Sequence, residues 1–99
     1  MKKWDPSWEE SYYSQYDNYW VGAKKACDEL GMSLPDKSKL QSIYQAGKKD
    51  SSLGLPTSGW FWSSSESNAR GAYNVNFLYG YTDDYSKDSS TGRVLCVGD

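Results

Sequence analysis

The spacing of apolar residues changes near residue 60, and this change limits the folds open to the chain. Before that point, apolar residues recur every three or four positions, as on one face of a helix. After it they alternate with polar residues, as Tyr73, Val75 and Phe77 do, which is typical of a half-buried strand. Helices followed by an antiparallel sheet define the α+β class, which we therefore predict.

Two helices are predicted in the first part of the chain. The first follows the capping pair Asp17 and Asn18 and runs through residues 19–30. Its apolar face consists of Trp20, Ala23, Cys27 and Leu30. The second begins after the capping residue Asp36 and ends or loosens at Gly47. Its apolar stripe consists of Leu40, Ile43 and Tyr44.

Short strands joined by turns are predicted in the second part. We expect strands that begin at Trp60 and that cover residues 72–78, 81–87 and 93–97, with a loop at residues 63–71. Trp62 belongs in the core, whereas Trp60 fits core and surface equally well. Residues 1–16 carry aromatic residues and a turn signal, and favour a first strand or an extended arm.

The composition limits both the core and the partners of the protein. Ninety-nine residues fit one domain, residues 1–99, whose core is thin. That core must be largely aromatic, since the chain has five Trp, nine Tyr and two Phe. A net charge of −2 argues against a nucleic-acid partner, which usually meets a basic surface. No apolar run is long enough for a membrane span.

The chain has no histidine, which removes the usual general base and the usual zinc ligand. Its two cysteines, Cys27 and Cys96, are far apart, so they form no CxxC pair and make a poor metal site. They form either two buried thiols or a disulfide. A disulfide would add about 4 kcal/mol to the stability of the fold and would imply an extracytoplasmic location. We expect no cofactor and no metal, because the carboxylates of residues 83–88 lack EF-hand spacing.

Five segments, in order, resemble the Lcl C-terminal domain family of bacterial surface and phage proteins. "AKKACDELG" and "SLPDKSKL" are similar to its helical signature, and "FWSSSE", "AYNVNF" and "RVLCV" to its strands. The resemblance covers residues 20–97 and implies a C-type lectin-like fold, in which two helices flank a twisted antiparallel sheet. In that fold a cysteine of the first helix bonds to one in the last strand, and Cys27 and Cys96 match those places.

The resemblance also implies a binding function. Members of the fold bind sugars, glycosaminoglycans or proteins through the loop-rich region before the last strand. The calcium-binding tripeptides of sugar-binding animal lectins do not occur here, which argues against that mode of sugar binding. A catalytic branch, the formylglycine-generating type, needs reactive cysteines, which a structural bridge between the two cysteines would consume.

The predicted hairpin gives a candidate binding face. A two-residue turn at Tyr79-Gly80 places Leu78 opposite Tyr81, and the pairing continues from there. The opposing pairs are then Leu78 with Tyr81, Asn76 with Asp83, and Asn74 with Tyr85. In this register Val75, Phe77, Thr82 and Asp84 face the core. The exposed, ligand-binding face consists of Asn74, Asn76, Leu78, Tyr81, Asp83 and Tyr85.

This face has the chemistry of an antibody paratope, in which tyrosines give rigid contact area and small polar side chains adapt their hydrogen bonds. Glu66, Asn68 and Arg70, in the loop at one end of the sheet, complete the predicted site, and the Arg70 guanidinium suits a carboxylate or sulfate. The alternative is that these are ordinary strand residues and a solvated loop.

We therefore expect a non-catalytic module that binds a glycan or protein. It would belong to a larger bacterial surface or phage protein and act outside the cell, on a cell surface or on a phage particle. The alternatives are a structural or assembly module that buries its hairpin against a neighbour, and an enzyme of the formylglycine-generating type.

Overall fold

The computed structural model of the protein describes residues 19–68, 70–89 and 92–98. Its helices are α1 (Tyr19–Glu29) and α2 (Lys37–Lys49), and a 3-10 turn follows at Ser51–Leu53. Its strands are β1 (Trp60–Asn68), β2 (Gly71–Asn76) and β3 (Thr82–Ser86), which form an antiparallel sheet in the order β1-β2-β3. The predicted α+β class is confirmed. The strand or arm expected in residues 1–16 lies outside the described residues.

Both predicted helices are present. Asp36 caps α2, since its carboxylate accepts a hydrogen bond from the Lys39 N–H at 2.7 Å. α2 continues past Gly47, where we expected it to end or loosen; a Cβ there would lie 3.2 Å from Leu55, so the glycine lets the next loop approach closely. Leu30, predicted on the apolar face of the first helix, lies beyond the end of α1 and is exposed, so the helix is one residue shorter than predicted. No helix in the described ranges is long and apolar enough to cross a bilayer.

The first strand is longer than predicted. Residues 63–68, expected in a loop, belong to β1, which pairs with β2 through Phe61–Val75 and Trp62–Asn74. The register shifts on both sides of Glu66, so the pairing is irregular there. A run of small polar residues carries no visible alternation, which is why its strand character was missed.

The last predicted strand, residues 93–97, is not a regular strand. Within the described residues this segment makes isolated bridges, parallel from Arg93 to Phe61 and antiparallel from Val97 to Ser33. Its Arg93 end therefore lies beside β1, and its Val97 end lies beside the segment between the two helices. Cys96, in the same segment, forms the disulfide with Cys27 of α1, with their Cα atoms 5.4 Å apart. The predicted disulfide is confirmed.

The hairpin between β2 and β3 has a different register from the predicted one. Its loop has four residues, Phe77 to Gly80, instead of two. The observed pairs are Val75 with Thr82, Asn74 with Asp83, and Ala72 with Tyr85. The predicted pairs are therefore wrong by two positions. Because the shift is even, each residue keeps the face of the sheet that the prediction gave it.

Core clusters lie on both faces of the sheet at β1 and β2, so the face expected to be exposed is buried in part. The α1 cluster, on one face, consists of Trp20, Val21, Ala23, Cys27, Leu34, Trp62 and Ala72. The α2 cluster, on the other, consists of Leu40, Tyr44, Phe61, Val75 and Phe77. Val75, Phe77 and Trp62 are thus in the core, as predicted. Thr82 and Asp84 are exposed instead, because they lie on the edge strand β3 while α2 packs over β1 and β2.

Candidate functional site

The β2–β3 loop is closed by the side chain of Asn76. Its Oδ1 accepts hydrogen bonds from the backbone N–H groups of Leu78, at 2.8 Å, and Tyr79, at 2.9 Å. The N–H of Gly80 donates to the Asn76 carbonyl at 2.7 Å. An asparagine side chain that accepts hydrogen bonds from the N–H groups two and three residues further along the chain stabilises a turn. The loop is therefore a tight, hydrogen-bonded turn.

Helix α2 holds the same turn from the side. The Gln41 amide donates to the Gly80 carbonyl and to the Thr82 hydroxyl, each at 2.8 Å. A Cβ at Gly80 would lie 2.6 Å from Cε2 of Tyr44, and the φ of Gly80 is +80°. Only glycine meets both demands without strain. The turn is thus fixed to a buried part of α2.

This rigid turn presents large apolar side chains to solvent. Leu78 is 53% exposed, Tyr79 65% and Tyr81 63%. The two tyrosine rings lie with their centroids 5.6 Å apart and their planes 32° apart, so they form one continuous surface. We call these three residues the hairpin patch. Exposed apolar groups that adjoin one another are a common sign of an interaction site.

Two depressions flank the patch. The first, the anchor groove, has a volume of about 160 Å³ and lies between α2, the loop that follows it and the turn. It is lined by Tyr44, Gly47, Lys48, Pro56, Thr57, Phe77 and Leu78. The second is an open, polar depression of about 410 Å³ lined by Lys37, Ser38, Gln41 and Thr82. The anchor groove therefore offers apolar side chains, and the second depression offers polar ones.

The predicted binding residues on the hairpin divide into different roles. Leu78 and Tyr81 belong to the patch. Asn76 is half-buried and positions the turn. Asp83 is exposed, and its Oδ1 accepts from the Asp84 N–H at 2.9 Å. Tyr85 is half-buried and packs edge-on against Trp60, with ring centroids 5.2 Å apart.

Asn74 does not lie on an exposed face, so that prediction is wrong. Its side chain is fully buried, on the face of the sheet that carries Trp62 and the α1 cluster. A Cβ at Gly92 would lie 2.7 Å from its Oδ1, so the C-terminal segment closes over it. Neither its Oδ1 nor its Nδ2 has a hydrogen-bond partner in the part of the chain that the structure describes. A ligand on the surface has no access to it in this conformation.

Glu66, Asn68 and Arg70 are not brought to the patch. They lie at the opposite end of β2 from the turn, about 20 Å away at the rise of an extended strand. Glu66 pairs with the buried Lys87, its Oε2 lying 2.6 Å from Nζ. Asn68 accepts from the Arg70 N–H at 2.8 Å. The first two side chains thus organise their own surroundings, and the Arg70 residue is exposed.

Tyr79 and the anchor groove were not predicted. The sequence pattern identifies Tyr79 only as a turn residue. A tyrosine at a turn lies away from the core, so its position in the turn could have indicated an exposed ring. The groove depends on Lys48 and Pro56, which come together with Leu78 only in the folded chain. Nothing in their sequence neighbourhoods links them.

The Asp50 carboxyl has a pKa that its hydrogen bonds lower. Hydrogen bonds from the Ser52 hydroxyl, at 2.5 Å, and the Ser52 N–H, at 3.0 Å, lower the pKa of the Asp50 carboxyl. That carboxylate ends α2 and starts the 3-10 turn, so its role is to shape the loop. Within residues 19–68, 70–89 and 92–98, no three His, Cys, Asp or Glu side chains come together as a metal site would require.

Comparison with known families gives one assignment. A family model described as a domain of unknown function (DUF8780) matches residues 8–98, which is most of the chain. No curated protein matches the sequence significantly.

Proposed function

The chain belongs to the DUF8780 family, and we propose from its structure that it is a non-catalytic module that binds a glycan or protein through the hairpin patch. The observation that carries the proposal is the rigid turn that presents Leu78, Tyr79 and Tyr81. Exposed apolar side chains disfavour solubility, so a fixed turn that holds them outward calls for a partner. Because the turn is already ordered, binding requires little further ordering.

The chemistry of the patch suits recognition. Each tyrosine offers a large, flat contact with only two rotatable side-chain bonds, and its hydroxyl can bond at the rim. Gln41 and Thr82, beside the patch, add an amide and a hydroxyl. An apolar centre with a polar rim is the usual anatomy of a protein interface.

The finer fold and the location are part of the same proposal. The resemblance to C-type lectin-like domains is supported by two helices, an antiparallel sheet and a disulfide between α1 and the C-terminal segment. A disulfide persists in oxidising compartments, which supports a place outside the cell, on a bacterial surface or phage particle. The two cysteines are joined, so neither offers a thiol for formylglycine-generating chemistry.

The assembly alternative gains no support from the edge of the sheet. Asp84 lies between hydrogen-bonded pairs of β2 and β3, so its N–H points away from β2, to the side of β3 that no strand of the described sheet occupies. That N–H donates a hydrogen bond to the Asp83 carboxylate. The Ser86 carbonyl accepts a hydrogen bond from the Ser89 N–H at 2.9 Å. Two outward-facing backbone groups of β3 are therefore already bonded within the chain, which makes this edge a poorer template for another strand.

The test is to screen the domain against a glycan array and a protein array, each with calcium and with EDTA. We expect Tyr79→Ala/Tyr81→Ala to weaken the binding of any ligand found by about tenfold or more, because truncated aromatic anchors cost most at interfaces. Leu53→Ala is the control, since Leu53 is exposed but remote in sequence from the patch. Full binding by the double variant, with an unchanged circular dichroism spectrum, would refute the proposal.

A further inference from the structure

Resting on the proposed function, we infer that the ligand is a protein, and that the anchor groove takes one of its apolar side chains while Lys48 pairs with a neighbouring carboxylate. The groove adjoins the hairpin patch directly, because Leu78 belongs to both. A contact that covers the patch must therefore pass over the groove. This places a pocket inside the expected contact area, where binding energy usually concentrates.

The volume of the groove fits a single side chain. At about 160 Å³, it is close to the roughly 150 Å³ apolar cavity that holds a benzene molecule. Tyr44, Pro56, Phe77 and Leu78 supply apolar walls. An apolar side chain that fills this space gains burial without leaving polar groups unpaired. A sugar has hydroxyls around its whole ring, and such walls would leave several of them without partners.

The walls of the groove are fixed before any ligand arrives. Tyr44 and Phe77 belong to the α2 cluster, with their rings packed edge to face at 5.8 Å. The Phe77 N–H donates to the Gly59 carbonyl at 2.8 Å, which ties the turn to the chain ahead of β1. Gly47 allows Leu55 to lie against α2, just before Pro56. A preformed pocket gives more of its contact energy to binding.

The charge beside the groove selects an acidic neighbour. Lys48 lines the groove, and its ammonium lies 5.8 Å from the Tyr44 ring centroid. It makes no ion pair with the described residues. The nearest carboxylate in sequence, Asp50, already accepts two hydrogen bonds from Ser52. An exposed cation without a carboxylate partner favours a ligand that brings one.

The test is to pan a phage-displayed random-peptide library on the wild-type domain, on Lys48→Glu and on Lys49→Glu. Lys49 is the matched control: it is the next residue, carries the same charge and does not line the groove. We expect selected peptides to share an apolar residue with Asp or Glu close by. They should bind Lys48→Glu about tenfold more weakly and Lys49→Glu nearly as well as the wild type. Panning on Lys48→Glu should select Lys or Arg beside the apolar residue.

The other outcomes separate this inference from the proposed function. Equal loss in the two lysine variants, a consensus without an apolar residue, or no enriched peptide would each overturn the inference. If a glycan is then bound through Tyr79 and Tyr81, the proposed function stands without it. If peptides respond to Lys48→Glu but not to Tyr79→Ala/Tyr81→Ala, the groove acts alone and the patch proposal fails.

Discussion

Gly92 passes closely over the side chains of Trp62 and Asn74. A Cβ added to Gly92 would clash with the Trp62 Nε1 atom and lie 2.6 Å from its Cδ1. We predict that Gly92→Ala destabilises the protein by about 1–3 kcal/mol, the usual cost of overpacking a core. The shift in thermal midpoint measures this. Gly98→Ala is the control, since a Cβ there meets nothing within 4 Å, and an equal shift in both variants would contradict the explanation.

Lys87 carries a buried charge that is stabilised by an ion pair and by an aromatic ring. It is 1% exposed, pairs with Glu66, which is 52% exposed, and lies 4.1 Å from the Trp20 ring centroid. Removing the carboxylate leaves a buried ammonium without its counter-charge, whereas removing the ammonium leaves a carboxylate that water can reach.

We therefore predict that Glu66→Gln costs about 1–2 kcal/mol, a value lowered for the partial exposure of Glu66. Lys87→Met should cost less, because its side chain still packs on Trp20. Urea denaturation midpoints of the two variants give the comparison. A larger loss of stability in Lys87→Met than in Glu66→Gln would contradict this argument. It would mean that the Lys87 side chain stabilises the fold through more than its pairing with Glu66.

At the scale of elements, the side chain of Gln41 links the hairpin turn to α2 by hydrogen bonds. Gln41 donates two hydrogen bonds to the turn, one to Gly80 and one to Thr82. We predict that Gln41→Ala costs about 1–2 kcal/mol, at roughly 1 kcal/mol per hydrogen bond, and speeds amide exchange at Gly80. Gln45→Ala, an exposed glutamine on the same helix, serves as the control. Unchanged exchange at Gly80 would show that Asn76 alone holds the turn.

The elements that the sequence predicts well are those with local signals. The helical stripe around Leu40 and the alternation of Val75 and Phe77 identify α2 and β2 without help from the rest of the chain. The predicted hairpin register was wrong because the turn was placed at Tyr79-Gly80 alone. The Asn76 side chain closes a longer loop instead, and an asparagine at the start of a turn is a signal that the prediction did not use.

At the scale of the whole molecule, the disulfide joins elements that are distant in sequence. Cys27 of α1 and Cys96 are separated by 69 residues. By the chain-entropy model such a bridge stabilises a fold by about 4 kcal/mol. We predict that Cys27→Ala/Cys96→Ala lowers the thermal midpoint substantially, and that a reductant lowers the wild-type midpoint by a similar amount but leaves the variant unchanged. A reductant-sensitive double variant would contradict this.

The burial of the sheet face that carries Asn74 was not accessible from the residue pattern. Alternation correctly gave Asn74 the opposite face from Val75, but the cover over that face comes from α1 and the segment near Gly92. These are long-range contacts, and a polar residue in an alternating strand is ordinarily assigned to solvent. For the same reason the candidate site was predicted only in part, through Leu78 and Tyr81, while the groove around Lys48 was not.

The covalent loop between Cys27 and Cys96 contains α2, the whole sheet and the turn. A protease that cuts the backbone once anywhere inside this loop produces two pieces that stay joined through sulfur. Exposed loops are where such cuts occur. A nicked molecule would therefore keep the hairpin patch covalently attached to the rest of its chain, which a domain without the disulfide would not.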